Sequence, residues 1–175
     1  MEFEQHTTVS EKEYLDMIHK KTGVLFRLAA RGGGLIGGGD EEQIHGLTLF
    51  GTNLGFAFQI WDDYLDMSSD VITLGKDIGN DIRNGKKTLI AVHAFEHAQK
   101  NEKNVLNTLF GKRQATDEEV HQVLDIFRQV GSIKYAQHVA KHYHELAQQA
   151  LSVLPNTKAK TTLEELALYA IERKQ

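Results

Sequence analysis

Apolar residues recur along most of this chain at intervals of three and four, the repeat that gathers them on one face of an α-helix, and strand-like alternation is nearly absent. An all-α fold is therefore expected, a helical bundle in a single domain over residues 1–175. Ser10 with Glu13 has capping-box spacing, and Tyr14, Leu15, Ile18, Leu25 and Leu28 carry the apolar face of a helix to about Arg31. Two glycine triplets between Gly32 and Gly39 interrupt it, since each Gly costs a helix about 1 kcal/mol relative to Ala. A second helix is expected from about Asp40 to Met67, then an irregular segment from Ser68 to Gly85. Further helices are expected near Lys86 to Lys100, Asn104 to Phe110, Asp117 to Val130, Ser132 to Val153 and Leu163 to Arg173. Thr116 with Glu119 and Thr162 with Glu165 repeat the capping pattern, and Pro155 marks a break before the last helix.

Charge changes this picture at one place. From Leu47 to Trp61 there is no Asp, Glu, Lys or Arg, and the run ends in Asp62, Asp63 and Asp66. A stripe of Leu54, Phe58, Trp61 and Leu65 anchors such a helix in a core, so the segment reads as a buried helix delivering carboxylates to one spot. Asp62 and Asp66 share a face at i and i+4, with Gln59 one turn before, while Asp63 lies about 100° around. Like charges at that spacing repel, so a cation should compensate them, and Mg²⁺ suits hard carboxylate oxygens shared with substrate phosphates. An EF-hand loop does not fit, because the acids do not alternate and no Gly supplies the turn. A membrane span does not fit either: the uncharged run is shorter than the ~20 residues required and contains Thr48, Thr52, Asn53 and Gln59.

A second polar cluster runs from Gly75 to Thr88. It is not a Walker loop, because Lys87 occupies the hydroxyl position after Gly85-Lys86 and no strand precedes it. Lys76 and Lys86, on a glycine-bearing segment close to the acids, can instead offer point charges to a phosphate group. His93-Ala-Phe-Glu-His97 has the spacing of a zinc-peptidase motif, but with nine His in the chain such a pair is readily produced by chance. His138 and His142 repeat the spacing without the glutamate.

Composition narrows the class further. One Pro and no Cys exclude a disulfide-stapled secreted domain and fit the reducing cytoplasm, and the first residues show no basic and apolar leader pattern. A formal charge of −4 without a long basic block gives nucleic-acid binding little support.

Taken in order and spacing, Lys21-Thr22, the segment Gly55 to Asp66 with its Gln59 and its Asp62-Asp63-x-x-Asp66 string, Gly75-Lys76, and Gly79 to Leu89 resemble the trans-polyprenyl diphosphate synthases, the geranylgeranyl and farnesyl diphosphate synthase family. The resemblance implies a helical isoprenoid-synthase fold, here partial. It implies a Mg²⁺-dependent prenyltransferase of isoprenoid biosynthesis that condenses an allylic diphosphate with isopentenyl diphosphate. Asp62, Asp63 and Asp66 are implied as metal ligands. Lys21, Thr22, Gln59, Lys76 and Lys86 are implied to contact or position the allylic diphosphate, with Asp62, Lys21 and Lys76 catalytic. Such enzymes also carry a first aspartate-rich motif upstream of the Lys-Thr pair, together with a basic isopentenyl diphosphate pocket; neither stands before Lys21. The chain is therefore expected to correspond to a C-terminal half, inactive alone, with exposed apolar faces that favour association. A homodimer is implied for the complete enzyme. A non-catalytic partner subunit is the alternative, although it would have no need of these acids and lysines together.

Overall fold

The computed structural model describes residues 9–68 and 79–173, and every regular element among them is helical. The chain forms two compact units, Met1–Tyr14 with Asp62–Gln137 and Leu15–Trp61 with His138–Gln175. Among the described residues no helix is long and apolar enough to cross a membrane.

The second of these units is built on α2 (Val24–Ile36), most of α3 (Glu41–Ser68), the later part of α8 (Ser132–Ala150) and α9 (Lys158–Glu172). Phe50 and Leu54 of α3 form its core with Ala147, Leu151, Ala167 and Ala170, flanked by Phe26, Ala30 and Leu163. One face of the uncharged stretch of α3 is buried, with Phe50, Leu54, Ala57, Ile60 and Trp61 inside while Leu49 stays exposed, and its hydroxyls are satisfied locally: Thr48 Oγ1 donates to the Ile44 carbonyl and Thr52 Oγ1 to that of Thr48. Close approach explains its glycines. A Cβ on Gly51 would stand 2.5 Å from the Phe26 carbonyl oxygen, and one on Gly55 only 2.7 Å from Gly23 Cα.

Two expectations fail in this unit. The first glycine triplet does not end a helix, because α2 runs through Gly32, Gly33 and Gly34 to Ile36. Gly34 is buried where a Cβ would strike Leu47, and the stop comes at Gly38, whose φ of 71° allows its N–H and that of Gly39 to bond back to Leu35 and Gly34. The last helix begins five residues before Leu163, at Lys158, because Thr157 accepts from the Lys160 N–H, whereas Thr162 lies inside the helix with its hydroxyl on the Lys158 carbonyl.

The other unit centres on α7 (Asp117–Gln129), which packs against α4 (Gly79–Arg83), α5 (Leu89–His97) and α6 (Lys100–Leu109). Val120, Val123, Leu124 and Phe127 are buried on α7, and Thr116 with Glu119 caps it reciprocally as the sequence predicts. Arg83 ties α4 to the start of α7, with Nε donating to the Ala115 carbonyl and a terminal nitrogen 2.6 Å from Asp117. Part of the segment expected to be irregular is thus the short helix α4; residues 69–78 lie outside the described residues. Helix α5 starts after Thr88 rather than at Lys86, because the Thr88 side chain accepts from the Ala91 N–H. Helix α6 starts at Lys100 rather than Asn104, capped by Gln99 and Glu102.

Candidate functional site

Helix α3 carries Gln59, Asp62, Asp63 and Asp66, and the three acids sit in different environments. Asp62 and Asp66 are half-buried, whereas Asp63 retains 2% exposure, as the 100° offset from Asp62 leads one to expect. A carboxylate so deep needs donors. Tyr14, on α1 (Glu11–Ile18) and itself fully buried, donates its hydroxyl to Asp63 Oδ2 at 2.8 Å, and Lys86 Nζ stands 3.2 Å from Oδ1. The same ammonium lies 2.8 Å from Asp81 Oδ2 on α4.

Local sequence explains why Lys86 reaches this place. Helix α4 ends in Asn84-Gly85, and Gly85 takes a φ of 63°. Its N–H bonds to the Ile82 carbonyl and that of Lys86 to the Asp81 carbonyl, the paired closing bonds of a Schellman cap. The chain thereby folds Lys86 back over the helix toward Asp81. Gly85 also packs close to Gly111, whose N–H bonds to Ile82, so a side chain would be strained there in both conformation and space.

Electrostatics agree with this geometry. Burial raises the Asp63 carboxyl above its ordinary range, opposed by the nearby Lys86 charge and by the Tyr14 and Lys86 hydrogen bonds. Burial, then the Asp63 charge, hold the Tyr14 hydroxyl well above its ordinary value, so it remains a donor. For Lys86 burial acts downward, but Asp63 and Asp81 outweigh it and keep the ammonium charged.

A second group of predicted residues lies in the other unit, at a π-helical turn over His19–Gly23. Such turns insert one residue into an α-helix and recur at functional sites. Within it Thr22 Oγ1 donates to Gln59 Oε1 at 2.8 Å, and Lys21 is exposed. Lys76 lies outside the described residues. The structure therefore joins Thr22 to Gln59, and Asp63 to Lys86. Sequence reading missed Tyr14 and Asp81, which it had no local signal to find.

The donor set limits what could be bound. Among the described residues no group of three or more His, Cys, Asp or Glu could hold a metal ion together. Asp62 and Asp66, one helical turn apart, suit a hard cation that takes one or two carboxylates and completes its shell with water and phosphate oxygen. The His93 and His97 rings stack with centroids 4.1 Å apart. Nδ1 of His93 faces Ser132 Oγ, and that of His97 faces the His93 carbonyl oxygen. That pairing, with the His93 ring also stacked on Tyr135 at 4.2 Å, is a packing arrangement.

Comparison with known proteins places these features in context. Residues 1–127 match the polyprenyl synthetase family. Over 173 residues the chain is 38% identical to the short chain isoprenyl diphosphate synthase of Methanothermobacter thermautotrophicus, covering 99% of this chain and 53% of that protein. It is 40% identical to the geranylgeranyl diphosphate synthase of Methanosarcina mazei, again over 99% of this chain and 52% of the relative. The crystal structure of geranylgeranyl pyrophosphate synthetase from Pyrococcus horikoshii superposes with a TM-score of 0.92 at 46% identity, covering 98% of this chain and 52% of the other. The chain thus spans about half the length of the relatives it matches. With the family match running over more than two thirds of its residues, from the first residue through α4, α5 and most of α7, the chain belongs to the polyprenyl synthetase family.

Proposed function

We propose that this chain supplies the diphosphate-ionising side of a prenyltransferase that condenses an allylic diphosphate with isopentenyl diphosphate in isoprenoid biosynthesis. The observation that carries the reading is the acidic end of α3. There an uncharged run of helix with one face in the core delivers Asp62, Asp63 and Asp66 beside a lysine that two carboxylates hold in place. Asp62 and Asp66, with Asp63 completing the motif, would hold Mg²⁺, which when bound supplies Lewis-acid stabilisation to the departing diphosphate.

The chain's own groups do the rest. Lys86 has three N–H donors, of which two point to Asp63 and Asp81, so a third remains for a phosphate oxygen. Thr22 occupies the Gln59 amide oxygen and so sets the amide NH₂ group as the donor end of that side chain. Lys21 and Lys76 add positive charge to the same leaving group. Each stabilises charge that grows as the carbon–oxygen bond breaks, and so acts more strongly on the transition state than on the bound substrate.

A homodimer belongs to the same reading. It is supported by apolar side chains of α2 left open to solvent, among them Leu25, Leu28 and Ile36 at 67%, 66% and 91% exposure. The absence of Cys is in keeping with a cytoplasmic setting. The test combines this chain with the part of the Methanothermobacter relative that it does not cover, and follows isopentenyl diphosphate incorporation into prenyl product with Mg²⁺. Product formation is expected, with a loss on the order of 100-fold or more in Asp62→Ala. Unchanged turnover in that variant removes Asp62 from the site.

A further inference from the structure

We infer that Tyr14 is a positioning residue for the acidic site, clamping Asp63 together with Lys86 so that Asp63 acts as the buried anchor of the motif while Asp62 and Asp66 meet the cation. This inference rests on the proposed reading of Asp62 and Asp66 as metal ligands.

Three observations carry it. The hydroxyl that meets Asp63 comes from a fully buried ring 49 residues away in sequence, so α1 is fastened to the end of α3 at the motif itself. Each oxygen of Asp63 has a donor: Tyr14 meets Oδ2 at 2.8 Å and Lys86 meets Oδ1 at 3.2 Å. A cation binding Oδ1 would have to displace or crowd that ammonium, at a carboxylate with 2% exposure, whereas Asp62 and Asp66 are only half-buried. Tyr14 is also held by its own surroundings, since the backbone N–H of Leu89 acts on its hydroxyl. That leaves the hydroxyl proton for the carboxylate.

An anchor of this kind has a use. Asp62 and Asp66 flank Asp63 on the same helix, and a helix end that frays or rolls by a few tens of degrees would carry both away from a shared ion. Fixing the side chain between them fixes that rotation. Preorganised ligands bind more tightly because less freedom is lost on binding.

The test uses the isotopically labelled chain with Mg²⁺ and inorganic pyrophosphate, read by NMR as the carboxyl ¹³C shifts of the three aspartates. In the unmodified protein the Asp62 and Asp66 carboxyl signals are expected to move with Mg²⁺ while that of Asp63 stays in place. An Asp63 signal that moves as far as that of Asp62 overturns the inference, and this measurement does not depend on any variant folding. Tyr14→Phe keeps the ring and removes the donor. With Mn²⁺ as a paramagnetic probe it is expected to weaken binding about fivefold or more, with the Asp63 signal now responsive to Mg²⁺. A residue that merely supports the fold would lower the unfolding midpoint and leave the cation affinity of the folded protein unchanged; that result also overturns the inference. If neither cation perturbs any of the three aspartates in the unmodified protein, the metal reading itself fails, and the role of Tyr14 falls with it.

Discussion

Gly55 and Gly33 provide opposed outcomes for the same substitution. Replacing Gly by Ala within a helix gains about 1 kcal/mol from propensity alone. At Gly33 in α2 the added methyl meets nothing within 4 Å, so most of that gain should survive, and Gly33→Ala is expected to stabilise the chain by about 0.5–1 kcal/mol. At Gly55 in α3 the methyl would sit 2.7 Å from Gly23 Cα and 3.4 Å from Gly23 N. Carbon atoms in contact stand about 3.5–4.0 Å apart, so two segments of backbone must separate by roughly 1 Å, where no flexible side-chain end can yield. Overpacking of this kind costs about 1–3 kcal/mol, and because the clash is backbone on backbone the upper part of that range applies, so after the propensity gain Gly55→Ala should be net destabilising by up to about 2 kcal/mol. Urea denaturation followed by helical circular dichroism measures both variants, and the midpoints should shift in opposite directions. The displacement also pushes Gly23, and with it Thr22, away from Gln59. Thr22→Val should therefore lose most of its own cost in the Gly55→Ala background. Two stabilised variants would refute the close-approach argument, because propensity alone would then account for both.

Three further outcomes follow from the other unit. Lys86→Met should cost about 2 kcal/mol, a charged hydrogen-bonded pair discounted for the 39% exposure of the lysine, but under 1 kcal/mol when Asp63 is already Asn; equal costs in a double-mutant cycle would uncouple the pair. Burial, then the neighbouring His97, lowers the His93 pKa against the opposing pull of Glu96 and Glu11, so below the ordinary histidine value the unfolded chain takes up a proton that folded His93 refuses. Stability should thus fall as pH drops from 7.5 to 5.5, less steeply in His93→Phe, and an identical slope in that variant would reject the assignment. Thr116→Ala removes the acceptor for the Glu119 N–H at the start of α7 and should lower stability by about 1 kcal/mol, read as a lower urea midpoint.

What could be read from the sequence was whatever depended on local order. The acidic end of α3, the core-facing side of its uncharged run and the Thr116 cap all follow from periodicity or spacing over a few residues. Helix α4 could not be found that way, because its five residues are too short to show a repeat and it is held by Arg83 reaching Ala115 and Asp117. Thr157 and Thr162 both qualify as caps by residue type; the choice between them is made by which hydroxyl is left pointing at an open N–H. Gly34 supports a helix that propensity argues against, because tertiary packing against Leu47 outweighs about 1 kcal/mol. The partnership of Tyr14 with Asp63 and the double grip of Lys86 on Asp63 and Asp81 join residues that no local repeat connects, and single-sequence patterns hold no record of such pairings.

The π-helical turn at His19–Gly23 bears on how this chain tolerates insertions and deletions. It holds one residue more than an α-helical turn would, so a deletion there, of Lys20 for example, could heal into unbroken α-helix with every backbone bond satisfied. Because the widened turn takes up that residue within a single turn, the repaired helix would leave Tyr14 and Ile18 on the faces they now occupy. A deletion inside a regular stretch such as α2 or α3 would instead turn one end by about 100° and shift it about 1.5 Å along the axis. One-residue length changes among relatives should therefore collect at 19–23 as well as in the turns around 111–115 and 154–157, where no helix has to stay in register across the site of change.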